Sequence, residues 1–201
     1  MKMLKINKLY LGTILTALLI TLTCTNSLGS KSYFDYLLLA TKKTSTMEKE
    51  ITEASDSGYR FVAVMGGETL GGNEVVVVMQ RSAENKGMGR YQYKLLATSK
   101  TSTMEKELQA AGKEGFAYCG QTVFSSTFGG DEVVVILERD RDSDSPGNFE
   151  YSLLGTKKTS TMQKELHDAG VNGFELVGLT VGKTSFGGSE LISILRKRVD
   201  D

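Results

Sequence analysis

The chain has 201 residues, with 24 basic and 24 acidic side chains that cancel to a formal charge of zero. No excess of Lys and Arg supplies the electrostatic footprint of a nucleic-acid-binding protein, so that partner class is not expected. Two cysteines, Cys24 and Cys119, are too few for a disulfide framework.

The first segment reads as a targeting signal. Lys2, Lys5 and Lys8 precede an apolar stretch from Leu9 to Leu22, small and polar residues follow to Ser30, and the first acidic residue is Asp35. This is the layout of a secretory signal peptide over residues 1–30, with cleavage near 24–30. The apolar stretch is shorter than the roughly 20 residues of a spanning helix. Loss of the leader leaves 21 basic against 24 acidic residues, a mildly acidic chain expected to be secreted or periplasmic. Ile20-Thr21-Leu22-Thr23 before Cys24 resembles the box that ends bacterial lipoprotein leaders. Leucine stands two places before the cysteine where three is usual, and Thr23 replaces Gly, Ala or Ser. A membrane-anchored lipoprotein lipidated at Cys24 is the alternative, and membrane contact is expected only through that lipid or an uncleaved leader.

The rest of the chain repeats. The phrases KKTSTMEKEI, SKTSTMEKEL and KKTSTMQKEL begin at Lys42, Ser99 and Lys157, with Met47, Met104 and Met162 spaced by 57 and 58 residues. A period of that length defines structural repeats, here residues 31–82, 91–140 and 149–201. Polar linkers, 83–90 and 141–148, separate them, and the second holds Pro146, the only proline.

Each unit opens on a period-two strand. Phe34, Tyr36, Leu38 and Ala40 share one face, as do Tyr91, Tyr93, Leu95 and Ala97, and Phe149, Tyr151, Leu153 and Gly155. Such alternation predicts one well-buried face. A helix follows. Ser45, Ser102 and Ser160 precede Glu48, Glu105 and Gln163 by three residues, the spacing of a capping box. Met47, Ile51 and Ala54, with their counterparts Met104, Leu108, Ala111 and Met162, Leu166, Ala169, form a narrow apolar stripe over about three turns. Gly58, Gly115 and Gly173 stand where a left-handed residue closes a helix. Second strands are expected over 59–65, 116–123 and 174–181. Gly71-Gly72, Gly129-Gly130 and Gly187-Gly188 then supply turn chemistry, and third strands follow over 75–79, 133–137 and 191–195. The expected fold is α+β: three tandem β-α-β-β repeats, each a small three-stranded sheet with one helix, packed together. A unit of about 48 residues is near the lower limit for a core of its own, so the units are expected to pack against one another, and closure with pseudo-threefold symmetry and one sheet extended across the repeats would both do this.

The third unit carries a family resemblance. Phe149-Glu150-Tyr151, the helix, Gly173-Phe174-Glu175-Leu176-Val177 and a strand ending Arg196-Lys197-Arg198 resemble a small bacterial domain of unknown function. That family shows a Tyr strand, a helix and a Gly-Trp-Glu-Leu-Val motif before its hairpin. In this chain Phe or Tyr stands in place of Trp, and only the third unit keeps Glu-Leu-Val. The resemblance implies the fold and, since the family has no established activity, no chemistry.

Candidate chemistry is sparse. His167, the only histidine, aligns with Thr52 and Gln109 on the polar side of the helix and reads as a solvated side chain. No second imidazole or thiolate joins it, so neither a metal centre nor a nucleophile–base pair is expected, and no cofactor motif occurs. Cys119 aligns with Val62 and Val177 and reads as a small buried hydrophobe. Glu74, Glu132 and Glu190 open the third strands and read as charges that protect an edge. One pattern points to binding. Lys43, Ser45 and Thr46, then Lys100, Ser102 and Thr103, then Lys158, Ser160 and Thr161 gather a cation and hydroxyls at each helix start. Free N–H groups there can hold a carboxylate, sulfate or phosphate, whereas Glu48, Glu50, Glu105 and Glu107 in an expected first turn would repel one. The leader, the repeats and the missing catalytic set point to a non-catalytic interaction scaffold for a protein or glycan partner. A module binding an anionic small molecule or glycan at the helix starts is the alternative.

Overall fold

A computed structural model describes residues 33–83, 89–126, 130–143, 147–183 and 189–199. The leader, Cys24, most of the 83–90 linker, Pro146 and the Gly187-Gly188 turn lie outside the described residues, as does Gly129. No helix among the described residues is long and apolar enough to cross a membrane.

The β-α-β-β order holds three times. Repeat 1 consists of β1 (Phe34–Thr41), α1 (Thr44–Asp56), β2 (Arg60–Thr69) and β3 (Gly72–Ser82). Repeat 2 consists of β4 (Tyr91–Thr98), α2 (Thr101–Lys113), β5 (Ala117–Ser126) and β6 (Gly130–Asp140). Repeat 3 consists of β7 (Asn148–Thr156), α3 (Thr159–Val171), β8 (Glu175–Lys183) and β9 (Ser189–Val199). The repeats form three separate antiparallel sheets, ordered β1-β3-β2, β4-β6-β5 and β7-β9-β8. No sheet runs from one repeat into the next among the described residues, so the extended-sheet arrangement is not adopted.

The strand order corrects the reading of Glu74, Glu132 and Glu190. They open β3, β6 and β9, which are the central strands and not edges. The unbroken apolar run in β3 and β6 is the signature of a strand covered on both faces. Val133 to Leu137 of β6 are all buried, whereas β3 buries only Val75, Val77 and Met79 on one face.

The helix ends follow from local chemistry. Gly58, Gly115 and Gly173 take φ of 87°, 84° and 83°. The next aromatic N–H, from Tyr59, Phe116 or Phe174, reaches back to the carbonyl of Ala54, Ala111 or Ala169 at 3.0–3.1 Å. This is the Schellman closure. The starts differ from the capping-box expectation. The N-caps are Lys43, Lys100 and Lys158, with no side-chain cap hydrogen bond, and Ser45, Ser102 and Ser160 lie inside the first turn. Threonines two residues before each cap hold the turn instead. Thr41, Thr98 and Thr156 accept from the N–H of Lys43, Lys100 and Lys158 at 3.2, 3.1 and 3.4 Å. This is a hydroxyl turn of the kind that competes with a side-chain cap.

Each second strand bulges at the same place, between Phe61 and Ala63, Tyr118 and Gly120, and Leu176 and Gly178. The extra residue bends the strand. Cys119 is that residue in β5.

Candidate functional site

Apart from the helix starts, residues recur at equivalent positions where one repeat meets the next. The stripe of α1 (Met47, Ile51, Ala54) lies in one cluster with Val75 and Val77 of its own sheet and with Tyr93, Leu95, Val134 and Ile136 of repeat 2. The stripe of α2 (Met104, Leu108, Ala111) does the same between Val133, Val135 and Leu137 of its own sheet and Tyr151 and Ile194 of repeat 3. Each of these helices therefore has an apolar neighbour on two sides, one supplied by the first strand of the following repeat.

Polar bonds sit beside that apolar contact. The Ser55 hydroxyl donates to the Tyr91 carbonyl, and the Gln109 amide donates to the Tyr151 carbonyl. The Tyr93 phenol accepts from the Phe61 N–H at 2.9 Å and donates to Glu138 at 2.6 Å, and the Glu138 carboxylate receives Arg60 at 2.8 Å. Burial first, and Glu138 second, hold the Tyr93 phenol well above the usual range. Tyr151 donates to the Phe116 carbonyl at 3.0 Å, and burial pushes its phenol up to about 12. Both phenols thus stay neutral donors throughout the physiological range.

Glycines mark the closest approaches. A Cβ on Gly112 would lie 2.2 Å from the Phe149 carbonyl oxygen, and one on Gly66 would lie 2.4 Å from that of Val123. A Cβ on Gly120 would meet the Phe61 ring at 2.9 Å, and one on Gly178 would meet Gln121 at 2.7 Å. Phe61 and Val64 stand over Gly120 as Tyr118 and Gln121 stand over Gly178, so one contact is made twice in register.

The helix-start residues do not behave alike. With helices beginning at Thr44, Thr101 and Thr159, no acidic residue occupies any first turn, which removes the repulsion expected from Glu48, Glu50, Glu105 and Glu107. Lys43, Ser45 and Thr46 sit at the start of α1, and Lys158, Ser160 and Thr161 at the start of α3. At α2, Lys100 borders a cavity of about 250 Å³ that Thr98, Thr101, Asp131, Glu132 and Ile192 also line. Thr101 there donates to the carboxylate of Glu190 at 3.0 Å. The start of α2 thus faces carboxylates from its own hairpin and from the next repeat, a charge balance that opposes a free anion. Ser102 and Thr103 do not line that cavity.

His167 is exposed, and no group of three or more His, Cys, Asp or Glu among the described residues could hold a metal ion. Cys119 is a free thiol, half-buried, and burial pushes its pKa up to about 12. At neutral pH it stays protonated and is a poor nucleophile.

The two ends of the series present these same faces uncovered. Tyr36, Tyr93 and Tyr151 occupy one position in the three first strands, yet they are 62%, 4% and 0% exposed. Phe34 and Leu38 flank Tyr36 at 50% and 65% exposure. The first-strand face expected to be well buried is therefore open in repeat 1, where no helix of another repeat covers it among the described residues. At the other end, none of the residues of α3 is fully buried, and Leu176, Leu179 and Val181 of β8 are about half exposed. Sequence pattern could not separate these copies, since the residues match and only their place in the series differs.

No protein-family model, no curated protein and no solved structure matches the chain.

Proposed function

We propose that the chain is a non-catalytic, exported scaffold in which three β-α-β-β repeats stack in series, sheet on helix, and offer their end faces to partners. The observation that carries this reading is the double coverage of α1 and α2 against the open stripe of α3. Further support comes from the clustering of Tyr33–Asp201 as one compact unit. The paired glycine approaches at Gly120 and Gly178 add to it, as do the Arg60–Glu138 and Tyr151–Phe116 bonds between repeats. In a stack of this kind each unit contacts only its neighbours, and stability is the sum of unit and interface terms. Function then resides in surface, not in a catalytic group. Apolar side chains at both ends are the surface features that chain-terminal capping would otherwise remove.

Amide hydrogen exchange, followed at a dilution that keeps the chain monomeric, tests the stack. Amides of α1 and α2 are expected to exchange only with the opening of the central strands β3 and β6, while those of α3 exchange sooner by local opening. Equal exchange in all three helices would overturn the serial arrangement.

A further inference from the structure

We propose that the chain associates head to tail with further copies of itself, α3 of one molecule seating on the β1 face of the next. The inference rests on the serial stack, and extends it across the molecular boundary.

The argument is continuity of one interface. Inside the chain, α1 seats on β4 and α2 on β7 through the same positions. The end of the chain supplies the helix half of that interface, with Met162 and Leu166 in the places of Met104 and Leu108. The beginning supplies the strand half, with Phe34, Tyr36 and Leu38 in the places of Phe149, Tyr151 and Leu153. The strand half is exposed and the helix half only partly covered, and each has the residue types that its counterpart packs.

Two details fit a docked copy. Gly170 takes the place of Gly112, whose missing Cβ makes room for the Phe149 carbonyl. A Cβ on Gly170 would meet nothing within 4 Å, so a glycine that weakens its helix serves no packing here. In a docked copy it faces the Phe34 carbonyl. His167 takes the place of Gln109, which donates to the Tyr151 carbonyl. An imidazole N–H there reaches the matching carbonyl of Tyr36.

The charges also agree. Where Arg60 meets Glu138 inside the chain, the docked pair is Glu175 against Gln80, with no like-charge contact. The β8 end is shaped to match: Leu176 and Leu179 stand in the places of Phe61 and Val64, and Ala63 stands in the place of Gly120. Leucine, smaller than Phe61, thus meets the smaller space that alanine leaves in place of Gly120. Such an interface is heterologous, so it produces open chains of molecules or rings, not symmetric dimers.

The test uses the protein purified in the form the cell makes it, with Tyr36→Glu blocking one end and Gly170→Arg the other. Both sites are open to solvent, and unchanged circular dichroism and melting temperature confirm that each variant folds. Sedimentation of the unaltered chain is expected to show species larger than a monomer that grow with concentration. Each variant alone is expected to sediment as a monomer. An equimolar mixture of the two, which retains one intact head and one intact tail, is expected to form a single one-to-one complex and nothing larger. A chain that stays monomeric at all concentrations overturns the proposal, as it does if residues 1–32 of the same molecule cover Tyr36. Variants that fail to complement on mixing also overturn it, since that result defines a symmetric contact. If the amide-exchange pattern of α1 and α2 holds while the mixture stays monomeric, the stack stands and only the self-association falls.

Discussion

Leu108→Ala is expected to destabilise the chain by about 3–4 kcal/mol, whereas Leu166→Ala costs only about 1 kcal/mol. The two leucines hold the same position on corresponding turns of α2 and α3. Leu108 has no exposed surface and packs among Met104, Ala111, Tyr151 and Ile194. Truncation there loses its transfer energy and leaves a cavity walled by two sheets, neither of which can collapse onto it. Leu166 is half-buried and has one sheet only. That sheet is also a weaker partner, because Ser193 stands where β3 has Val77 and β6 has Val135. The Ser193 hydroxyl is buried without a hydrogen-bond partner among the described residues. Urea unfolding of both variants measures the contrast. Equal losses would mean that repeat 3 contributes nothing to the surroundings of α2.

Gly112→Val is expected to cost about 3 kcal/mol, near the upper end for overpacking. The new Cβ would start 2.2 Å from the Phe149 oxygen and 3.0 Å from the Tyr151 ring, while carbon and oxygen settle at about 3.3 Å. Backbone supplies the obstacle, so α2 and β7 must part. For a chain of this length each kcal/mol moves the melting temperature by roughly 2–4 °C. Replacing a helical glycine elsewhere has the opposite sign. Gly170→Ala, at the same position of α3 with open space around it, is expected to stabilise by about 0.5–1 kcal/mol through lost backbone freedom in the unfolded chain. Differential scanning calorimetry of the pair gives both signs in one experiment. A stabilised Gly112→Val chain would show that α2 and β7 are not in contact.

The repeated unit was legible because each of its signals is local. Alternation marked the first strands, spacing from Met47 to Ala54 marked the helix, and Gly58 and its counterparts marked its end. The capping-box spacing misled, because Ser and Glu three apart occur inside a first turn as readily as at its boundary. The true signal was Thr41, Thr98 and Thr156, a hydroxyl two residues before the lysine in every copy. The central place of the third strand was written in Val75 to Met79 and Val133 to Leu137, which do not alternate. An edge reading of Glu74, Glu132 and Glu190 gave too much weight to the charge and too little to the run beside it.

The open faces were not legible, and for a physical reason. Burial of a repeat's outer face depends on what precedes and follows it in space, and near-identical copies carry near-identical patterns. Only departures between copies could have pointed there. Ser55 stands where the other copies have Gly112 and Gly170, and the three meet different surroundings: a hydroxyl bond to Tyr91, a carbonyl in contact, and open space. Thr52, Gln109 and His167 differ likewise.

Hydroxyl-radical footprinting of Tyr36, Tyr93 and Tyr151, in the Gly170→Arg chain at high dilution, tests the serial stack most directly. The three residues share one side-chain chemistry, one strand position and one molecule, so their labelling rates report only what covers them. The stack requires Tyr36 to be oxidised far faster than Tyr93 and Tyr151, in line with exposures of 62%, 4% and 0%. Comparable rates at all three would contradict it and leave three independent units on a string.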